Sequence, residues 1–202
     1  MLEFDARRHW GRTIVGGRFT AGRGVTALFG PSGAGKTSIL NMVAGLLRPD
    51  EGHIVADGVT LFGPATDLPP DARGVGYVFQ DALLFPHMRV EANLRFAQKR
   101  ARGRDPIIDF TATVDLLGIG GLLTRWPDTL SGGEAKRVAI GRALLGAPRI
   151  LLMDEPLASL DAPRRQEIIG AIQRIRDAVR LPVLYVSHDR AEVDRLADAV
   201  VM

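Results

Sequence analysis

Hydrophobic and polar positions follow one another along this chain in two rhythms. Short unbroken apolar runs at 25–29, 75–79, 150–153 and 183–186 predict buried strands, and the run 36–47 predicts a helix. Between the last two strands Ile168, Ile172, Ile175 and Val179 recur every three or four residues, an amphipathic helix with Pro163 in its first turn and Pro182 beyond its end. Strands alternating with helices argue for an α/β layer fold with a largely parallel sheet. The stretch before residue 24 and the segment 53–62 read instead as short antiparallel strands. In the latter, Asp57-Gly58 separates two apolar tetrapeptides, the pattern of a hairpin with a two-residue turn. The middle, 86–130, shows helical periods at 90–102 and 107–117. Gly103, Pro106, Gly118, Gly120, Gly121 and Pro127 punctuate it, which predicts a helical insertion beside the sheet. Residues 198–202 look like the opening of a further strand, so the chain is expected to be part of a longer one.

Composition narrows the class. A length of 202 residues suits one domain with a subdomain. With 46% hydrophobic and 24% charged residues the chain is an ordinary globular one, not collagenous, coiled-coil or disordered. It contains no apolar run long enough to span a bilayer, and its charged, mixed first ten residues do not read as a secretory signal. The 26 basic residues exceed the 23 acidic ones by only three, so charge does not call for nucleic acid as a partner. Absence of cysteine excludes disulfides, thiolate zinc sites and a cysteine nucleophile. The four histidines, at 9, 53, 87 and 188, are too scattered to suggest a metal cluster.

Chemistry first appears in Gly30-Pro31-Ser32-Gly33-Ala34-Gly35-Lys36-Thr37, which fits G-x-x-x-x-G-K-[ST]. Glycines let a backbone curl so that its N–H groups face phosphate oxygens. A helix N-terminus at the same place favours an anion. Lys36 would add positive charge toward the β and γ phosphates, and Thr37 a hydroxyl toward Mg²⁺. Only three lysines occur beside 23 arginines, which makes a chance match rarer still.

Such a loop needs a metal carboxylate. Asp154 stands at the end of the apolar run 150–153, where ligands gather in open α/β sheets. Glu155 follows, placed to orient or deprotonate a water. Without the phosphate loop, Asp154-Glu155-Pro156 would read equally as a strand-to-loop turn. Leu130-Ser131-Gly132-Gly133-Glu134 starts a strong helix-forming run with Ser131 as N-cap; taken alone it reads as an ordinary helix start, or as a second anion site. Gln80 and His188 each follow an apolar run and lie at the same predicted sheet edge as Asp154. Either residue alone would more often be structural.

In this order and over essentially the whole chain, these residues resemble the nucleotide-binding subunit of ABC transporters. The matching parts are the phosphate loop at 30–37, Gln80, the signature 130–134, the strand 150–154 with Glu155, Ser159-Leu160-Asp161, and His188. Within the family the text is most similar to the molybdate-importer ATPases. Several stretches are shared with sulfate, polyamine, sugar and iron importers, which stay as alternatives, as does, more distantly, a non-transport ABC ATPase. A GTPase would want an Asn-Lys-x-Asp run, which does not occur.

The resemblance implies an α/β P-loop NTPase cassette over 1–202, with a mostly parallel central sheet, a small N-terminal antiparallel β part and a helical subdomain at about 86–130. It implies that the family's further C-terminal strands and regulatory domain are absent. It implies ATP hydrolysis with Mg²⁺ that powers an importer, with Glu155, His188 and Gln80 as catalytic residues. Gly30, Pro31, Ser32, Gly33, Ala34, Gly35, Lys36, Thr37 and Ser38 would bind nucleotide, and Thr37, Gln80 and Asp154 the metal. Ser131, Gly132 and Gly133 would close the nucleotide site of a second copy in a head-to-tail homodimer. Further implied partners are integral membrane permease subunits, met through 81–100 with Phe85, Pro86 and Met88, and, indirectly, a periplasmic substrate-binding protein. The implied location is the cytoplasmic face of the inner membrane. Two departures stand out. After the signature the chain reads Ala135-Lys136-Arg137, where the family more often has a polar residue and then Gln-Arg, so a side-chain contact is expected to be lost. The tyrosine that stacks on adenine in many relatives has no clear match; Trp10 or Phe4 could serve.

Overall fold

A computed structural model describes residues 1–101, 103–179 and 181–202. Two five-stranded sheets organise them. The first is antiparallel. Its strands are β1 (Leu2–Trp10), β2 (Thr13–Ala21), β4 (Glu51–Ala56), β5 (Val59–Gly63) and β6 (Thr66–Asp67), in the order β2-β1-β4-β5-β6. The second is wholly parallel. Its strands are β3 (Gly24–Phe29), β7 (Val75–Val78), β8 (Ile150–Asp154), β9 (Pro182–Ser187) and β10 (Ala199–Val201), in the order β10-β3-β9-β8-β7. The antiparallel part is therefore larger than the sequence suggests. The predicted hairpin forms: Ala56 pairs with Val59, and Asp57 and Gly58 both have positive φ, 51° and 74°, as its two-residue turn requires.

Both faces of the parallel sheet are covered, which is why its strands read as unbroken apolar runs. Leu151 and Met153 of β8 pack with α4 (Gly132–Leu145) and α5 (Ala162–Ala178), while Ile150 and Leu152 face the opposite core. That second core joins the parallel sheet to the antiparallel one, with α1 (Lys36–Ala44) contributing Leu40, Met42 and Val43. In the helical insertion, α2 (Val90–Lys99) and α3 (Phe110–Leu117) place Leu94 and Leu117 against α4. Gly141 of α4 is where they meet: a Cβ there would lie 2.9 Å from Leu117 Cδ1 and 3.2 Å from Leu94 Cδ2.

Local chemistry moves several helix ends. α1 stops at Ala44, short of the predicted 47, because Gly45 turns left-handed (φ 80°) and its N–H closes on Met42 O. α3 starts at Phe110 rather than 107, because the Asp109 carboxylate accepts from Ala112 N. The predicted end of the 90–102 helix at Arg102 lies outside the described residues; α2 ends at Lys99. A short helix, α6 (Arg190–Leu196), follows β9 and was not expected.

The far end of α1 is tied down by Arg73, which is buried. Its guanidinium donates to Met42 O (2.7 Å), Val43 O (3.1 Å) and Leu68 O (2.7 Å), and pairs with Asp67 at 3.0 Å. Orphan carbonyls of the last turn thereby gain a charged partner.

Candidate active site

Parallel strands deliver all their C-terminal ends to one edge. β3 runs into residues 30–35, β7 into Gln80, β8 ends in Asp154 and β9 in Ser187, with Phe29 beside Ser187 and Asp154 beside Val186. Gly33 and Gly35 take positive φ, 81° and 88°, and α1 begins at Lys36. A side chain at Gly35 would also run into Val15 of β2, so the antiparallel sheet buttresses the loop. The Lys36 ammonium arches back over the loop and donates to Gly30 O and Pro31 O, both at 2.8 Å. A cleft of 430 Å³ opens here, lined by Ser32, Gly33, Gly35, Lys36, Thr37, Ser38, Gln80 and Glu155.

Thr37 Oγ1 donates to Asp154 Oδ1 at 3.0 Å. Burial pushes the Asp154 carboxyl above the usual carboxylate range, and the Glu155 charge adds to this. The Thr37 hydroxyl and the Lys36 charge oppose it. Tyr77 stands behind this pair. Its hydroxyl donates to Asn41 Oδ1 at 3.1 Å, and burial together with the Asp154 charge keeps the phenol protonated. Glu155 adopts a left-handed backbone (φ 43°), costly for a residue with a side chain, and its N–H donates to Val186 O. Glu155 Oε1 meets His188 Nδ1 at 3.0 Å. Beneath His188, Tyr185 and Ser187 both donate to the buried Glu192 carboxylate, at 2.9 and 2.8 Å, and Ser187 Oγ accepts from Asp189 N. The histidine thus stands on an anchored turn.

The structure brings together 30–38, Gln80, Asp154, Glu155 and His188. It does not bring Ser131, Gly132 or Gly133 into the cleft. Ser131 caps α4 in a reciprocal box: its hydroxyl accepts from Glu134 N at 3.3 Å, and Glu134 Oε2 accepts from Ser131 N at 2.7 Å. That backbone N–H also holds the Glu134 carboxyl below its ordinary range. Gly132 and Gly133 lie against Leu160 and Arg164 of the same chain. Of the two adenine candidates, Phe4 is excluded, since it is buried and stacked on Phe19 at 5.0 Å. Trp10 is exposed at the end of the β1–β2 hairpin that leans on Gly35 through Val15.

Sequence reasoning missed Tyr77, Asn41 and Lys136. After the signature, where a side-chain contact is expected to be lost, the buried Lys136 ammonium donates to Phe79 O at 3.0 Å and also to Gln80 O. The advance signal for Lys136 was the departure after the signature, a lysine where the family more often has glutamine.

A family model described as ABC transporter matches residues 18–158. The chain belongs to the ABC transporter family. This ABC cassette is 55% identical over 204 residues to the molybdenum import ATP-binding protein ModC of Rhodospirillum rubrum, with all of the chain and 55% of that protein covered. It is 53% identical to the ModC protein of Paramagnetospirillum magneticum, with all of the chain and 56% of that protein covered. The chain thus spans about half the length of the curated relatives it matches. In fold it is similar to the dimeric structure of a bacterial ABC transporter cassette, at a TM-score of 0.74 and 23% identity, covering 100% of this chain and 96% of the other.

Proposed function

We propose that this cassette hydrolyses ATP to drive an ABC importer for molybdate. The observation that carries the hydrolytic reading is a cleft lined by the phosphate loop, Thr37 and Glu155, with Asp154 hydrogen-bonded to Thr37 and His188 to Glu155. The nucleotide phosphates would lie on the amides of 32–38, with the Lys36 ammonium turning from Gly30 O and Pro31 O toward them. Thr37 and Asp154 already set a hydroxyl and a carboxylate oxygen 3.0 Å apart, a pair of hard oxygen donors that suits Mg²⁺, and Gln80 lines the same cleft. When bound, the ion would neutralise charge on the phosphate oxygens. Glu155 would orient the attacking water and draw its proton, and His188 would hold Glu155 through their hydrogen bond. Trp10 would stack on the adenine. ATP as substrate follows from membership of the family; these residue roles and the Mg²⁺ are part of the proposal.

Ser131, Gly132 and Gly133 lie outside the cleft, which supports their action on the nucleotide of a second copy. Cleavage and loss of the γ-phosphate would then weaken a homodimer that the triphosphate bridges. Residues 81–100 would meet the permease, with Phe85, Pro86 and Met88 at the contact. No helix among the described residues is long and apolar enough to cross a membrane. By its likeness to import ATP-binding proteins, the cassette would sit peripherally on the cytoplasmic face, with a periplasmic binding protein acting through the permease. Molybdate as cargo rests on the likeness to the ModC proteins. The test is ATPase activity of the full-length protein assembled with its permease in vesicles. Addition of binding protein loaded with molybdate is expected to raise turnover several-fold. Stimulation only by a sulfate-, polyamine- or sugar-loaded protein would replace the cargo, and no hydrolysis under any condition would overturn the enzyme.

A further inference from the structure

Lys136 sits five residues beyond Ser131 on α4, about 7.5 Å along the helix. It is 5% exposed. Its ammonium donates to the carbonyls of Phe79, at 3.0 Å, and of Gln80. These two carbonyls belong to the peptide planes on either side of the Gln80 Cα. In a continuing strand they would point to opposite sides. Here β7 has ended at Val78 and both turn to a single cation, which restrains φ and ψ of Gln80 together. Further along the same segment, α4 reaches in again: Arg142 Nη2 donates to Ala82 O at 3.3 Å, and its guanidinium lies 5.1 Å from the centre of the Phe85 ring. Asn93 of α2 holds the rest, accepting from Phe85 N at 2.8 Å and donating to Met88 O at 2.9 Å.

We propose that Lys136 is a positioning residue that fixes Gln80 to the helix capped by Ser131, so that the placing of Gln80 in the nucleotide cleft depends on where that helix stands. This deepens the proposed ATPase reading and rests on it. Within a dimer, the signature at the head of α4 and the glutamine in the cleft of the same chain would serve different nucleotides, and Lys136 joins the two through a handful of bonds. Burial lowers the ammonium's pKa, and the Asp81 and Asp154 charges oppose the shift, so the cation stands where those carboxylates feel it. A glutamine here would offer a shorter, neutral donor. Lysine supplies reach and charge at a buried site, which a merely space-filling residue would not need.

The test uses the full-length protein with Lys136→Met and Lys136→Gln. Backbone amide order parameters at 80–82 are expected to fall from about 0.85 to below about 0.6 in Lys136→Met, with those of β7 and β8 unchanged. Turnover is expected to fall about tenfold and the half-activating Mg²⁺ concentration to rise at least threefold, with KM for nucleotide at saturating Mg²⁺ within twofold. Lys136→Gln is expected to lie between. Unchanged order parameters at 80–82 overturn the proposal, as does a general loosening across the sheet with kcat and KM degraded together. Should Lys136→Met fail to fold, Lys136→Gln decides by the same measurements: order parameters lowered at 80–82 alone support the proposal, and wild-type values overturn it. The order-parameter measurement does not need catalysis. A wild-type protein without ATPase activity but with the local loosening in the variants would sink the enzyme reading and leave the Lys136 tether standing.

Discussion

Replacing Asp154 by asparagine should stabilise the protein while removing the proposed hydrolytic activity. The carboxylate is 6% exposed, at the end of a strand buried on both faces. Asparagine keeps an oxygen to accept from Thr37 at 3.0 Å, and its amide can donate to the Tyr77 hydroxyl, which still donates to Asn41. Hydrogen bonding is thus conserved and only the charge is lost. Folding raises the pKa of Asp154, chiefly by burial, so the folded state binds this proton more tightly than the unfolded chain. The carboxylate therefore costs stability above the folded pKa, and wild type recovers that cost as pH falls through the folded value toward the unfolded one. The gain of Asp154→Asn at neutral pH should be on the order of 1 kcal/mol, the usual scale of a single substitution. With a urea slope of about 2 kcal/mol/M, the midpoint should move up by about 0.5 M. Urea titrations in EDTA at pH 7 and at pH 4 give the test, and the difference between proteins should shrink at the lower pH. Magnesium-dependent turnover should fall at least about 100-fold. A loss of stability at pH 7, or a gain of the same size at both pH values, would refute the reasoning.

Glu155→Gln should retain nucleotide binding, measured by fluorescent ATP titration, lose at least about 100-fold in turnover, and elute as a dimer with ATP; near-normal turnover would remove Glu155 from its role. Ser131→Arg should block hydrolysis yet leave nucleotide affinity of the monomer within about twofold, since Ser131 does not line the cleft of its own chain; lost monomer binding would argue against action in trans. Trp10→Ala should weaken nucleotide binding by about tenfold or more, the usual scale of stacking one base on an aromatic ring, and calorimetry showing unchanged affinity would leave the adenine without this platform.

Much of the candidate site was legible because its residues fall at the ends of apolar runs. Parallel strands bring such ends to one edge, so Lys36, Asp154, Glu155 and His188 could be grouped without coordinates. What the text hid were contacts made across distance. Nothing near Tyr77 in sequence announces Asn41 or Asp154, and nothing near Lys136 announces the carbonyls of 79 and 80. Faces were hidden too: both sides of β8 are buried, so no alternation marked which residues meet α5 and which meet α1. Leu46 and Leu47 prolonged the apolar run of α1 past the point where Gly45 reverses the backbone. α6 has seven residues, too few for a helical period to stand out. The weight of the antiparallel sheet was underestimated because the β1–β2 strands carry many polar and glycine residues on an exposed face.

Arg73 gives the nucleotide loop a dependence on a residue that never approaches it. The helix that begins at Lys36 has its other extremity clasped by an interior guanidinium, itself counterweighted by Asp67. A rod secured at its tail transmits tilt to its head. Loosening the grip at Met42 and Val43 is therefore expected to let the loop at the opposite extremity of this nine-residue helix shift.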